Sequence, residues 1–180
     1  MSSSNITSSQ SRGTQVPCLE VLRKTPLFVG LSDEQLRVIA PPCRQLPTCS
    51  GRLFFSKGDE AREVYVVLNG EVYLEEELAL GDNLPPRTIL VETVGKNGVF
   101  GLCALIQSRR AMLTARCAKD AEILAIDSQD LMALLQSHAS VGVTVMANAF
   151  RIAYERLMRL HDRIIADLGL PMLYETYRNY

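Results

Sequence analysis

Two histidines, five cysteines and an adjacent pair of arginines are the side chains to weigh first for chemistry in this 180-residue chain. His138 and His161 stand far from the cysteines in sequence and without ligand spacing. A metal site on β-strands needs several inward histidine or acidic side chains, so no metal is expected. Cys18, Cys43, Cys49, Cys103 and Cys117 are odd in number and unpaired in spacing, which points to reduced thiols. Cys43 and Cys49 do not make the close cluster that an iron–sulfur centre needs. No Ser/His/Asp set, phosphate-binding P-loop or paired-carboxylate signature occurs, so no catalytic residue is assigned and no enzyme is expected. Arg109-Arg110 remains: either a solvated surface pair or a fixed positive charge with a fork of donors for an anion. Cys103 shortly before it is either a small packing residue or a thiol lowered by its surroundings.

The elements that must position these residues change character along the chain. Residues 1–17 are Ser-rich with almost nothing to bury and read as a disordered leader. From Cys18 apolar residues begin to recur, and Ser32 with Gln35 forms a capping box for a short helix through Ile39, ended by Pro41-Pro42. Short runs rich in Val, Tyr, Phe and Leu follow at 52–55, 63–68, 71–78, 87–94, 112–117 and 122–126. Asn69-Gly70 between two of them predicts a hairpin. Short strands at regular spacing imply an antiparallel β-roll or jelly roll, here with a helical segment before it and two helices after it: an α+β fold, mainly β. The long segment 78–86 is expected to protrude, and Glu75-Glu76-Glu77 reads as a solvated edge.

After Asp127 the period is helical again. Asp127 or Ser128 caps a short helix ending near His138, and a longer one runs from about Ser140 to Leu168, stopped by Gly169 and Pro171. Val143, Met146, Phe150, Ala153, Leu157, Leu160 and Ile164 alternate spacings of three and four on it, an a/d seam that predicts a homodimer with parallel helices. Val145, Ile152 and Ile165 lie off the seam and are expected to face the chain's own β-roll. The domain is thus expected over 18–169, with a short tail at 170–180.

Composition sets outer limits. Hydrophobic residues at 47% can fill one core, and 19 basic against 20 acidic residues leave no overall field for nucleic acid or anionic membrane. Arg151, Arg156, Arg159 and Arg163 give the long helix at most a weak, salt-sensitive attraction to phosphates. No apolar run is long enough for a membrane helix. With no secretory leader either, a cytoplasmic protein is expected.

Four segments, in order, resemble the cyclic-nucleotide-binding domain family, the sensor module of the catabolite activator protein, protein kinase A regulatory subunits and gated channels. They are Pro26-Leu27-Phe28 with Leu31-Ser32 and Leu36; Gly58-Asp59 with 64–72 (VYVVLNGEV); Phe100-Gly101 with Ala104-Leu105 and 109–115 (RRAMLTA); and the closing short and long helices. The resemblance implies a ligand cassette at Phe100, Gly101, Leu102, Cys103 and Ala104, whose loop amides cradle a cyclic phosphate. Arg109 then supplies the phosphate contact, with Arg110 as the alternative and Ala111 beside it. It also places base contacts on the long helix at Thr144 and Asn148, which as residues read equally as ordinary polar positions.

One departure weighs against the nucleotide. Where the family has a glutamate accepting from the ribose hydroxyl, this chain has Leu102, and Gly98 stands where aspartate is common. Losing a charged hydrogen bond costs about 1.5–3 kcal/mol. Burying an unpaired hydroxyl adds about 1–2 kcal/mol. Together that is roughly a 30- to several-thousand-fold loss of affinity. The resemblance therefore implies a stand-alone regulatory sensor that takes a cyclic nucleotide or another anion and signals to a protein effector through its C-terminal helix. The alternative is a degenerate dimerisation or protein-interaction scaffold. With only 11 residues after Gly169, no DNA-recognition domain and no specific DNA binding by the chain alone are expected.

Overall fold

The computed structural model describes residues 18–78 and 85–167. Helix α1 (Cys18–Lys24), a 3-10 turn (Pro26–Phe28) and α2 (Asp33–Ile39) precede eight strands. These are β1 (Cys43–Thr48), β2 (Leu53–Phe55), β3 (Glu63–Asn69), β4 (Val72–Leu78), β5 (Arg87–Val94), β6 (Val99–Phe100), β7 (Thr114–Cys117) and β8 (Ala121–Asp127). Helices α3 (Ser128–Ser137) and α4 (Ala139–Asp167) follow. The expected leader, the middle of the 78–86 loop, the stop at Gly169–Pro171 and the tail lie outside the described residues.

The strands form two antiparallel four-stranded sheets, β1-β8-β3-β6 and β2-β7-β4-β5, which face each other. Their packing explains the sequence pattern. On β3, Tyr65 and Val67 enter the core between the sheets, while Val64 and Val66 enter a second core beneath the helices. On β8, Ile123 and Ala125 take the first direction, Leu124 and Ile126 the second. A sheet covered on both faces needs apolar residues at every position, so these strands read as continuous runs. The other sheet is covered on one face, and β4 alternates buried Val72 and Leu74 with more exposed neighbours.

The ends of the helices form as their sequences require. The Ser32 hydroxyl accepts from the Gln35 amide at 3.3 Å, and the Gln35 side chain accepts from the Ser32 amide at 2.9 Å. Asp127 Oδ1 accepts from the Gln129 and Asp130 amides at 2.9 and 3.0 Å. Each cap satisfies donors that the first helical turn leaves free.

The hairpin expected at Asn69-Gly70 is corrected by the sheet order. Strand β3 pairs with β8 and β6, whereas β4 pairs with β5 and β7. Both sides of β3 are occupied, so Gly70 instead carries the chain from one sheet to the other. Two strands escaped the sequence pattern. Strand β1 contains Pro47, tolerated because β1 is an edge strand; β6 is only two residues long.

Gly70 makes the crossing possible. It has φ 87°, and a Cβ there would lie 2.6 Å from both the Ala121 Cβ and the Asp120 carbonyl oxygen. Gly51 has a similar φ of 81° but open space around it. Gly70→Ala is expected to cost about 2–3 kcal/mol in chemical denaturation, and Gly51→Ala about 1 kcal/mol. Equal losses would show that the contact with Ala121 is immaterial.

Candidate ligand site

Strand β6 ends at Phe100, and Gly101, at φ 76° and ψ 19°, turns the chain into a single 3-10 turn over Leu102–Leu105. A Cβ at position 101 would lie 2.6 Å from the Glu63 carbonyl oxygen and 3.1 Å from the Tyr65 ring. The turn therefore rests directly on β3. Phe54, Phe55, Tyr65 and Phe100 pack as an aromatic group behind it, with Tyr65 and Phe100 stacked at 4.8 Å. The Tyr65 hydroxyl donates to Glu63 Oε2 at 2.9 Å, and Glu63 pairs with Arg44 at 2.6 Å. Burial, then the hydrogen bond and charge of Glu63, push the Tyr65 phenol far above its ordinary range, so it stays neutral.

Beside this turn lies a cavity of about 380 Å³, within the span of roughly 300–1,000 Å³ usual for small-molecule sites. Gly101, Leu102 and Cys103 line it from the cassette, Phe55, Leu74 and Val91 from the strands, and Met112 and Leu113 from the bend before β7. Helix α4 contributes Arg156, Arg159, Leu160 and Arg163.

The arginines reach the free edges of the two sheets. Arg156 donates through Nη2 to the Val99 carbonyl on β6, and its Nε forms an ion pair with Glu92 Oε2 at 2.9 Å without hydrogen-bond alignment. Arg159 donates through Nη2 to Glu92 Oε1 at 3.1 Å, and Arg163 through Nη1 to the Val91 carbonyl on β5 at 2.9 Å. The side chains of Arg156 and Glu92 are only 20% and 24% exposed, so this pair is screened less than a surface bridge.

The remaining expected site residues fall elsewhere. Phe100, Ala104 and Ala111 are buried. Arg109 adopts φ 47°, with its amide donating to the Ile106 carbonyl at 3.1 Å and its own carbonyl accepting from Ala61 at 2.7 Å. Arg110 is exposed and donates through Nη1 to the Gly58 carbonyl at 2.9 Å. Neither arginine is in the cavity lining. Thr144 donates to the Ser140 carbonyl at 3.1 Å, and Asn148 to the Leu27 and Val29 carbonyls at 3.2 and 2.8 Å. These two also stand outside the lining, and Asn148 ties α4 to the N-terminal 3-10 turn. Sequence reasoning missed Glu92 altogether and gave Arg156, Arg159 and Arg163 no place in the site. The signal for the arginines was their spacing, which puts them with Leu160 on one helical face.

A model of the cyclic nucleotide-binding domain matches residues 47–138, more than half of the chain. The chain belongs to that family. It is 27% identical over 159 residues to the cyclic AMP receptor protein of Thermus thermophilus, spanning 88% of this chain and 67% of that protein. The N-terminal domain of a Streptomyces coelicolor transcriptional regulator superposes with TM-score 0.62 at 26% identity, covering 80% of this chain and 94% of that one. A cyclic nucleotide-binding domain from Methylobacillus flagellatus shares the fold with TM-score 0.70 at 18% identity, covering 83% and 82%. Among the described residues, no group of three or more His, Cys, Asp and Glu side chains could hold a metal ion, and no helix is long and apolar enough to cross a membrane.

Cys103 offers a reporter inside the cavity. Burial raises its thiol, opposed in part by the backbone amides of Cys103 and Ala104. At neutral pH, iodoacetamide is expected to label exposed Cys49 well before Cys103, with Cys103 gaining as the pH is raised towards alkaline values. Mass spectrometry of the labelled peptides reads this directly, and Cys103 labelling first would refute it.

Proposed function

We propose that this chain is a regulatory sensor module, not an enzyme, which takes an anionic small molecule in the cavity between the Gly101 turn and α4 and reports occupancy through α4. The observation that carries this reading is the two-part attachment of α4. Its N-terminal half is fixed: Val141, Val145 and Ile152 are buried, Asn148 grips the 3-10 turn, and Arg151 donates to the Pro26 carbonyl. Its C-terminal half meets the strands through Arg156, Arg159 and Arg163, across the cavity. A ligand that engages those arginines changes the restraint on that half alone, and differential affinity for the two arrangements shifts their populations. This role suits a cytoplasmic protein that needs no cofactor and acts on a protein effector. A cyclic nucleotide remains one candidate ligand, with Gly101, Cys103 and Ala104 as cradle and Arg109 or Arg110 moving to the phosphate.

The output is proposed to pass through a parallel homodimer. Val143, Met146, Phe150, Ala153, Leu157, Leu160 and Ile164 are all exposed, although the row is apolar, and Phe150 stacks on exposed Tyr154. Surfaces of this kind mark contact sites. Sedimentation should show a dimer for the wild type and a monomer for Phe150→Glu with Leu157→Glu at unchanged secondary structure; a wild-type monomer refutes the dimer.

One observation favours the scaffold as a second reading. Leu102 lines the cavity, at the position where the resemblance implies a ribose acceptor, and Arg109 and Arg110 stand outside the lining. Calorimetry separates the readings. Cyclic AMP is expected to bind the wild type weakly, Leu102→Glu to bind it at least roughly tenfold tighter, and added Arg109→Ala to remove that gain. No gain in Leu102→Glu, together with no stabilisation of the wild type by any small anion in thermal melting, supports the scaffold.

A further inference from the structure

Resting on the sensor reading, we infer that the cavity selects an amphipathic monocarboxylate, an apolar body with one carboxylate, and that Glu92 holds the ligand's place on Arg156 and Arg159 until it arrives. The lining of the cavity argues for an apolar body. Of its thirteen described residues, eight are apolar or cysteine, one is glycine and four are charged. No Ser, Thr, Asn, Gln, Tyr or His side chain is among them. A ligand rich in hydroxyls and ring nitrogens would bury polar groups that these side chains cannot satisfy, each at a cost of about 1–3 kcal/mol. Leu102 belongs to the same apolar wall, so the substitution that removes a sugar acceptor also completes a surface suited to hydrocarbon.

The charged groups argue for a single carboxylate. All four stand together, on α4 and the adjoining edge of β5: three arginines against Glu92, an excess of two positive charges. Glu92 already shows which anion the arrangement accepts. Its two oxygens face separate guanidinium groups, Oε2 that of Arg156 at 2.9 Å and Oε1 that of Arg159 at 3.1 Å. A ligand carboxylate has the same geometry and charge, and guanidinium forks favour planar two-oxygen acceptors. The arginines have no other acidic partner among the ion pairs of the described residues, so a second carboxylate is taken by the excess charge or exchanges with Glu92. Either event loosens or re-aims the C-terminal half of α4, the change that the sensor reading requires.

The experiment compares octanoate with octanol, its uncharged counterpart, and with cyclic AMP, by calorimetry on the wild-type chain below micelle-forming concentrations. Octanoate is expected to bind at one site, and octanol about tenfold or more weakly, the cost of one lost charge-assisted pair. Glu92→Gln, which removes the competing charge, should bind octanoate about tenfold more tightly. Arg156→Gln with Arg159→Gln should lose about tenfold. Because a misfolded protein does not gain affinity, Glu92→Gln keeps the test decisive even where the arginine variant fails to fold. Octanol binding as well as octanoate, several weak sites indifferent to Glu92→Gln, or a loss of affinity in Glu92→Gln each overturns the inference. Cyclic AMP binding without octanoate overturns the ligand class and leaves the sensor reading standing. Binding of neither overturns the ligand class, and the sensor reading then falls only if no small anion stabilises the wild type in thermal melting.

Discussion

The pairing of β3 with β8 joins everything else in this molecule. Val64, Val66, Leu124 and Ile126 form the floor on which the helices pack, while Tyr65, Val67, Ile123 and Ala125 form one wall of the core between the sheets. Each large side chain so buried contributes about 1.5–3 kcal/mol of transfer free energy, so this one pair supports both cores. The Gly101 turn rests on the backbone of Glu63 and the ring of Tyr65, and therefore inherits its position from β3. A displacement of β3 would reach the helices and the cavity together.

Against that rigid centre, α4 is held in two different ways. Apolar burial and the Asn148 grip fix its first half, and such contacts are short-ranged and all-or-none. The second half is held by arginines reaching carbonyls on the unpaired edges of β5 and β6 and the Glu92 carboxylate. Covering those edges protects them from pairing with another chain. It also places exchangeable contacts at the apolar cavity, because a guanidinium can trade one oxygen partner for another at little cost in geometry.

The chemistry of the cavity differs from the resemblance that the sequence carries. The resemblance implies a phosphate cradle and a neighbouring arginine, yet Arg110 is engaged with Gly58 and the Arg109 backbone is engaged with Ala61 and Ile106. The cations that face the cavity come from α4 instead. Leu102 in the lining and Glu92 beside the arginines both suit the proposed ligand, an apolar body with its charge at the helix. A widely used fold here carries a site whose chemistry is set by its own lining residues.

Much of this was legible in the sequence by itself, because the governing forces were local. The Ser32–Gln35 box, the Asp127 cap and the two helical stripes of α4 depend on residues within one or two turns of each other. The strand runs of β3 and β8 were readable from their continuous apolar character. What only the tertiary structure decided were the partnerships between distant segments. Asn69-Gly70 carries the local signature of a hairpin, but sheet order made it a crossing, because β8, about 55 residues further on, occupies the edge β4 would have used. Strand β1 is hidden in sequence by Pro47 and exists because β8 offers it an edge. Glu92 and Arg156 are far apart in the chain and carry no motif; they meet because α4 crosses the open edges of both sheets, and a long-range contact of that kind has no local cause for a sequence pattern to record.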